Sequence, residues 1–365
     1  MKPKAFTKLL EKKENRPYDI ICSNHFDDLG SHIIKRVKPS SICIVTDSHL
    51  ASIHLNVIKA MSHEIAPTFV HVFEAGEESK NMHTITGIYD TLLTHKADRS
   101  SLIIALGGGV VGDIAGFAAA TYMRGIPFIQ IPTTFVAQND SGIGGKVGVD
   151  YLEYKNIVGA FHNPLLVYTN VTVLSTLPKE ELAGISEVIK HGLIHNPSLF
   201  HYLIEHKESI LRLESEKLQE MTYMSAKVKC DIVEQDPKEQ GIRKILNFGH
   251  TVGHAIETLS HFKYSHGECV AYGMCVAAFI SYKRNLLALT DVKEIITLCK
   301  MFDLLGTIED YDTADIWEHM SYDKKKSHGK VSFILLKNIG ETVIVTDIAE
   351  KEIAEAMEFL KETCN

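Results

Sequence analysis

Four short apolar runs, separated by longer stretches with helical character, most constrain how the first half of this chain folds. The runs span residues 41–46, 68–73, 102–106 and 128–131 and are rich in Ile, Val, Leu and Phe. Apolar residues that follow one another without alternation are typical of strands buried on both faces, as in a parallel sheet covered by helices. We therefore expect an α/β domain in this half of the chain.

The second half has a different pattern, which begins near Leu177-Pro178. From there to about Leu305 the apolar residues recur at helical spacing, for example over residues 214–234. The sequence therefore predicts two domains, an α/β domain over residues 1–177 and a mostly helical domain over residues 178–365.

The carboxyl-terminal part of the chain contains a further strand signal. Apolar runs at 331–336 and 342–345 flank Asn338-Ile339-Gly340, a pattern that predicts a hairpin. An amphipathic helix is expected to follow from about Ala349.

Composition excludes several classes of protein. A net charge of −8 over 365 residues is not that of a nucleic-acid-binding protein. No apolar run is long enough to cross a bilayer, and the charged amino terminus lacks the apolar core of a signal peptide. The seven cysteines are scattered without a CxxC spacing, so we expect reduced core residues in a cytoplasmic protein rather than a cysteine metal site.

A glycine-rich turn follows the third apolar run. Gly107-Gly108-Gly109 leads from the predicted strand into a helix of small residues that contains Asp113. Glycines at such a point let the backbone approach a pyrophosphate, which the amino end of the helix attracts. The spacing is neither GxGxxG nor a Walker loop, so a tight turn without a ligand remains an alternative.

Carboxylates near this turn have two interpretations. Asp113 could cap the helix or accept a hydrogen bond from the nicotinamide end of a dinucleotide. Asp47 and Glu77 follow strand ends, where they could hold ribose hydroxyl groups or remain solvated loop residues.

Histidines in the second half suggest a metal site. His250 and His254 are one helical turn apart, about 5–6 Å between their β-carbons, which lets two imidazoles share one cation. His266 follows shortly after, and Glu187 lies upstream in a predicted helix. Two imidazoles, one carboxylate and an open position form the set typical of catalytic zinc. The alternative is that His250 and His254 only cap or pack a helix.

Basic residues accompany these motifs in an acidic chain. Arg243 precedes Asn247 and His250 by four and seven residues, so all three are expected on one helix face. Converging cations suit a substrate that carries a phosphate and a carboxylate, although each cation taken alone could be a solvated surface residue. The cations in question are Arg124, Lys146, Lys155, Lys190, Lys229, Arg243 and Lys325.

With these motifs in order, the chain resembles the 3-dehydroquinate synthases of the sugar-phosphate cyclase superfamily. The resemblance runs from about Asp47 to Leu336. The motifs that carry it are Leu106 to Asp113, Pro132-Thr133-Thr134, Asp140 to Lys146, Lys155-Asn156, Glu187 to Lys190, Asn247 to His254, His266-Gly267-Glu268 and Asp323-Lys324-Lys325.

The resemblance implies a Rossmann-like α/β nucleotide-binding domain, a mostly α-helical metal-binding domain, NAD and a divalent metal such as Zn or Co. It also implies a homodimer. The implied metal ligands are Glu187, His250 and His266, which makes His254 a pocket residue instead of a ligand. The implied NAD contacts are Asp47, Glu77, Lys80, Gly108, Gly109, Asp113, Thr133 and Thr134. The implied catalytic or substrate contacts are Arg124, Asp140, Lys146, Lys155, Asn156, Lys190, Lys229, Arg243, Asn247, His254 and Lys325 or its neighbour Lys324.

The reaction that the resemblance implies turns 3-deoxy-D-arabino-heptulosonate 7-phosphate into 3-dehydroquinate and phosphate, in the shikimate pathway of aromatic amino acid biosynthesis. It proceeds by transient oxidation with NAD, phosphate elimination, re-reduction and aldol closure. Two positions depart from the family's usual loop, where Val147 and Tyr154 stand in place of a threonine and a glycine.

Three other functions remain open on the sequence. Another sugar-phosphate cyclase, such as a 2-deoxy-scyllo-inosose or valiolone synthase, uses the same chemistry on a different sugar phosphate. A polyol or iron-type alcohol dehydrogenase shares the domain plan but needs no basic cluster. A non-enzymatic binding module leaves the histidines and the carboxylate without a purpose.

Overall fold

The computed structural model describes residues 4–6, 18–152, 154–261, 263–326 and 332–364. The side chains of residues 4–6 and 321–326 also lie outside the described part, and the predicted contact Lys325 is among them. The chain divides into two compact units, Met1–Thr176 and Leu177–Asn365.

The first unit is built on a seven-stranded sheet. Its strand order is β1-β2-β9-β6-β5-β3-β4, with β1 antiparallel to β2 and the other pairs parallel. A separate antiparallel hairpin pairs β7 with β8. In chain order the strands are β1 (Lys4–Phe6), β2 (Asp19–Ser23), β3 (Ile42–Asp47), β4 (Thr68–Phe73), β5 (Leu102–Gly107), β6 (Phe128–Pro132), β7 (Lys146–Tyr151), β8 (Tyr154–Phe161) and β9 (Leu166–Asn170).

Helices cover both faces of this sheet, which confirms the predicted α/β architecture. The helices are α1 (Leu29–Arg36), α2 (Ser48–Ala51), α3 (Leu55–His63), α4 (Met82–Thr94) and α5 (Gly109–Thr121). One apolar core lies between the sheet and α4 with α5, and a second lies between the sheet and α1 with α3. Strands with a core on each face must be apolar at successive positions, as β5 is over its whole length.

The order of the strands reverses direction at β3. The chain adds β4 on one side of β3 and then returns to place β5 on the other side, followed by β6. Ligands of open parallel sheets bind outside the carboxyl ends of the strands at such a reversal. Here these ends are Asp47 of β3 and Gly107 of β5.

The second unit is mostly helical, as predicted, and it ends with a hairpin and a helix. Its helices are α6 (Ser186–Ile194), α7 (Pro197–Glu205), α8 (Lys207–Leu211), α9 (Ser215–Gln235), α10 (His250–Leu259), α11 (His266–Lys283), α12 (Leu289–Met301), α13 (Thr313–Lys326) and α14 (Glu350–Cys364). The hairpin pairs β10 (Phe333–Asn338) with β11 (Glu341–Val345), close to the predicted positions, although residue 331 lies outside the described residues.

Helix α11 forms the centre of the second unit. Its buried residues occur all around the helix, because α6, α10, α12, α14 and β10 pack against it. A helix that is apolar on every side must be surrounded in this way. The first turn of α11 begins with His266 and is closed by a capping box between Ser265 and Glu268.

Two expectations from composition concern the cysteines and membrane-spanning segments. All seven cysteines are free thiols; six are buried, and Cys364 is half-buried. Among the described residues, no helix combines the length and the apolar character required to cross a membrane.

Candidate active site

The glycine-rich turn of the first unit forms a narrow cradle at the amino end of α5. Gly108 precedes the helix, and a β-carbon added there would lie 3.0 Å from Cγ2 of Thr134. A β-carbon at Gly109 would lie 3.1 Å from Oγ of Ser141. The hydroxyl of Thr133 is buried and has no hydrogen-bond partner among the described residues. The turn thus offers backbone N–H groups and a hydroxyl to a ligand.

Asp113 lies further into its helix than the sequence pattern indicated. It lies one turn inside α5, not at the helix start, and its carboxylate is 2.8 Å from Nζ of Lys80. Burial lowers the pKa of Lys80, but Asp113 and the neighbouring carboxylates reverse this and raise it above its ordinary value. Glu77 is half-exposed at 4.0 Å from the same nitrogen. Asp47 caps α2 by accepting a hydrogen bond from the N–H of Leu50 at 2.8 Å.

Most of the predicted substrate contacts in the first unit lie at its surface. Lys146 is the exposed first residue of β7, and Lys155 and Asn156 are exposed in β8. Arg124 is exposed and has a left-handed backbone with φ of 69°. Asp140 lies in the irregular helical turn Ala137–Ser141 and is half-buried.

The second unit brings one carboxylate and two imidazoles together. Oε1 of the fully buried Glu187 lies 3.3 Å from Nε2 of His250 and 3.3 Å from Nε2 of His266. One ligand atom from each of the three residues lies within 4.8 Å of the other two. Each residue occupies the first turn of its helix, α6, α10 or α11. An oxygen and two nitrogens around a common point form the donor set of a catalytic zinc.

Close contact between backbones places these helix starts side by side. A side chain at Gly267, next to His266, would overlap the carbonyl group of Ala183 just before α6. A β-carbon at Gly253 in α10 would lie 2.7 Å from the carbonyl oxygen of Cys269 in α11. Gly249 begins α10 from a left-handed conformation with φ of 79°, which a residue with a side chain rarely adopts.

His250 and His254 are indeed one turn apart on α10, with ring centroids separated by 5.2 Å. They do not, however, share a set of candidate ligands in the described part of the chain. His250 joins Glu187 and His266, whereas His254 joins Glu257 and His266. The shared-pair interpretation of His250 and His254 is therefore not supported by the geometry.

Lys190, His250 and His266 surround the carboxylate of Glu187. Burial raises the pKa of its carboxyl group, but the Lys190 ammonium, which contacts the carboxylate, and the two histidines hold that pKa well below its usual range. Burial lowers the pKa of His266, but hydrogen bonds to Glu187 and Glu257 raise it to about 10. A cation bound by His266 would have to displace this proton, so metal binding and protonation compete here.

Three cations of the second unit are buried. Lys190, Lys229 and Arg243 are 1%, 5% and 2% exposed. Burying a charge costs free energy unless it is paired or hydrogen-bonded, and Arg243 donates to the carbonyl oxygen of Pro237 at 2.8 Å. These positions contrast with the exposed cations of the first unit and are not those of solvated surface residues.

The expectation that Arg243, Asn247 and His250 share one helix face is wrong. Arg243 and Asn247 belong to the 3-10 turn Ile242–Asn247, and the left-handed Gly249 separates this turn from α10. Asn247 is exposed and donates a hydrogen bond to Glu239 at 3.2 Å. A glycine next to a helix start is the signal that could have predicted this break.

Glu257 was not identified from the sequence. Its Oε2 lies 3.4 Å from Nδ1 of His266, and its side chain is 13% exposed. The signal was present in the spacing, since residue 257 follows His250 by seven positions and His254 by three on the same helix.

Comparisons with known families cover both units. Residues 70–184 match the family "3-dehydroquinate synthase N-terminal", and residues 184–326 match "3-dehydroquinate synthase C-terminal". The 3-dehydroquinate synthase of Desulforamulus reducens is 42% identical over 344 residues, covering 93% of this chain and 96% of that protein. The 3-dehydroquinate synthase of Acetivibrio thermocellus is 41% identical over 354 residues, covering 95% and 98%.

Solved structures share the fold. A 2-deoxy-scyllo-inosose synthase, complexed with carbaglucose-6-phosphate, NAD+ and Co2+, has a TM-score of 0.84 and 26% identity over 99% of each chain. The 2-epi-5-epi-valiolone synthase of Streptomyces hygroscopicus, with NAD+ and Zn2+ bound, has a TM-score of 0.87 and 24% identity over 96% of this chain and 99% of that one. Since the family matches extend over both units and the relatives are aligned almost end to end, the chain belongs to the 3-dehydroquinate synthase family.

Proposed function

We propose that this protein is a 3-dehydroquinate synthase, which converts 3-deoxy-D-arabino-heptulosonate 7-phosphate to 3-dehydroquinate and phosphate. The observation that carries the proposal is the convergence of Glu187, His250 and His266, in a chain whose two units match the two parts of this family. The enzyme is accordingly an NAD- and metal-dependent phosphorus–oxygen lyase of the shikimate pathway.

The proposed metal site consists of Glu187, His250 and His266. The donor set fits a divalent cation, zinc or cobalt, because it combines a buried carboxylate oxygen with two imidazole nitrogens. These three residues would hold the ion, which would remain accessible to hydroxyl groups of the substrate.

The proposed NAD site lies at the carboxyl edge of the sheet in the first unit. Gly108 and Gly109 fit a dinucleotide because side chains there would fill the cradle, and the buried Thr133 hydroxyl has no partner among the described residues. The reversal of strand order between β3 and β5 also supports this placement. The proposed contacts are Asp47, Glu77, Lys80, Gly108, Gly109, Asp113, Thr133 and Thr134.

The proposed substrate contacts carry the charge that a phosphorylated sugar acid requires. Buried cations hold anions strongly because little water competes with them. The proposed catalytic residues are Lys146, Lys190, Lys229, Arg243, Asn247 and His254. The proposed further substrate contacts are Arg124, Asp140, Lys155, Asn156 and Lys325, the last of which lies outside the described side chains.

When bound, the cation supplies Lewis acidity at the substrate hydroxyl groups and NAD supplies a reversible hydride acceptor. The residues of the chain neutralise charge, position the substrate and transfer protons. Lys190 and Lys229 stabilise negative charge on substrate oxygens, and the planar guanidinium of Arg243 suits two hydrogen bonds to a carboxylate. His254 is exposed beside the ligand set and can exchange a proton with a substrate hydroxyl.

We also propose that the protein is a cytoplasmic homodimer that binds neither nucleic acid nor membranes. Free, buried thiols support a reducing compartment. Exposed apolar side chains on the β7–β8 hairpin, including Tyr151, Tyr154 and Phe161, support a self-associating surface.

The test is phosphate release from the heptulosonate phosphate with NAD in catalytic amount. The proposal predicts stoichiometric phosphate and dehydroquinate with no net NADH. Phosphate release only from a different sugar phosphate would indicate another sugar-phosphate cyclase. Net NADH from a simple polyol would indicate a dehydrogenase.

A further inference from the structure

His266 lies between two carboxylates that contact its two ring nitrogens. Nε2 is 3.3 Å from Oε1 of Glu187, inside the proposed metal site. Nδ1 is 3.4 Å from Oε2 of Glu257, on the other side of the ring. The sequence motifs and the proposed function assign no role to Glu257.

Packing of the backbones holds Glu257 in this position. Glu257 stands two turns after His250 on α10, and His266 begins α11. The two helices approach closely at Gly253, where a β-carbon would lie 2.7 Å from the carbonyl oxygen of Cys269. The carboxylate of Glu257 is therefore presented to His266 by rigid helices instead of a loop.

We propose that Glu257 is a positioning residue for the metal site, which accepts a hydrogen bond from Nδ1–H of His266 and thereby leaves Nε2 as the metal donor. A neutral imidazole carries one proton, and the hydrogen bond made by one nitrogen determines which nitrogen is available. A carboxylate in this place also fixes the ring plane and makes the donor nitrogen more basic.

The same residues also allow an alternative, in which Glu257 is itself a metal ligand. His254, Glu257 and His266 form a second set of possible ligands within 4.8 Å of one another. Both sets need His266, and an imidazole can bind two cations only after losing both of its ring protons. Glu257 is therefore the hydrogen-bond acceptor of Nδ1–H, and we expect one metal ion per chain.

The experiment measures metal affinity directly, and it rests on the metal site of the proposed function. Metal-free wild type, E257L and E257Q are titrated with Zn2+ against a chromophoric chelator. We expect E257L to bind Zn2+ about 10–100-fold more weakly than wild type, as for other carboxylates behind a metal-binding histidine. E257Q keeps a hydrogen-bond acceptor for Nδ1–H and should therefore lose less Zn2+ affinity than E257L. The visible spectrum of bound Co2+ should change in E257L, because the ring is no longer held.

Glu268→Gln is the matched control, because it removes the same charge near His266 but keeps the capping interaction with Ser265. It should leave the Zn2+ affinity within about twofold of wild type. Circular dichroism of the metal-free proteins checks that each variant folds.

The outcomes distinguish the proposed metal site from the proposed role of Glu257. Absence of tight Zn2+ binding by wild type would refute the metal site itself. Tight binding by wild type with the same affinity and Co2+ spectrum in E257L would refute only the role of Glu257. Two Zn2+ ions per wild-type chain, with one lost in E257L, would make Glu257 a ligand of a second ion instead.

Discussion

Nε2 of His266 lies 3.3 Å from Oε1 of Glu187, although 79 residues separate them in the chain. The contact exists because the first turns of α11 and α6 meet where Gly267 packs on the carbonyl group of Ala183. With His250 at the same distance from the same oxygen, three helix starts supply one donor each.

Removal of the metal is the first prediction. Exhaustive chelation should abolish turnover, and added Zn2+ or Co2+ should restore it. Elemental analysis should find roughly one divalent ion per chain in wild type and much less in E187Q and H250A, since two remaining donors hold an ion weakly. His201→Ala removes an exposed histidine of α7 and should keep the ion. Full activity of the chelated enzyme would contradict the metal assignment.

The ion pair between Lys80 and Asp113 gives the second prediction. Asp113→Asn leaves a lysine that is only 6% exposed without its main counter-charge, which should destabilise the first unit by about 3 kcal/mol. Hydrogen exchange of the α5 backbone amides should accelerate accordingly. Glu77→Gln, at 4.0 Å and half-exposed, should cost less than about 1 kcal/mol.

A double variant sharpens this second prediction. K80M/D113L removes both charges and should be more stable than D113N alone, because no buried charge is left unpaired. If D113N proved as stable as wild type, the pair would contribute nothing to the first unit.

Lys146 gives the third prediction. Because its side chain is exposed at the start of β7, Lys146→Ala should leave folding and NAD affinity unchanged. Turnover should nevertheless fall about 10²–10³-fold if the ammonium stabilises charge on the substrate. Steady-state kinetics measure turnover, and a fluorescence titration with NADH measures cofactor affinity. Lys59→Ala, an exposed lysine of α3, serves as the control, and equal turnover in both variants would remove Lys146 from the site.

The fourth prediction concerns pH and the attachment of α14. Arg284 donates to both carboxylate oxygens of Glu352, at 2.6 and 2.7 Å, and to Asp347 at 2.9 Å. These hydrogen bonds hold the pKa of Glu352 below its ordinary value. Arg284→Met should destabilise the second unit by about 1–2 kcal/mol at pH 7.

The sign of the pH dependence follows from the lowered pKa. The contribution of Glu352 is complete above the ordinary glutamate pKa of about 4.3 and is lost as the pH falls through the lower pKa of the folded state. The difference between wild type and R284M should therefore shrink at acid pH. Trp317, the one tryptophan of the chain, lies on α13 and reports urea unfolding of the second unit by fluorescence. A difference that is constant from pH 7 to acid pH would contradict the assignment.

Local pattern was sufficient for the main elements of the fold. The four apolar runs became β3, β4, β5 and β6, and the helical periodicity after Leu177 became the second unit. The sequence did not predict β2, β9 or the β7–β8 hairpin, whose short runs contain polar residues or glycine. β2 and β9 are stabilised by pairing with each other although they are far apart in the chain, and such pairing leaves little trace in local composition.

For the candidate site, too, some features followed from the sequence and others only from the tertiary structure. Residue types and motif order alone pointed to a carboxylate, histidines and cations, because metal and phosphate chemistry needs those groups. The resemblance implied Glu187, His250 and His266 as one set, and only the tertiary structure brings their donor atoms together. Tertiary structure also decided that Gly249 separates Arg243 from α10 and that Glu257 faces His266. Helical spacing relates residues within one or two turns, whereas these contacts depend on how closely separate backbones pack, and that distance is set by glycines in the helix interfaces.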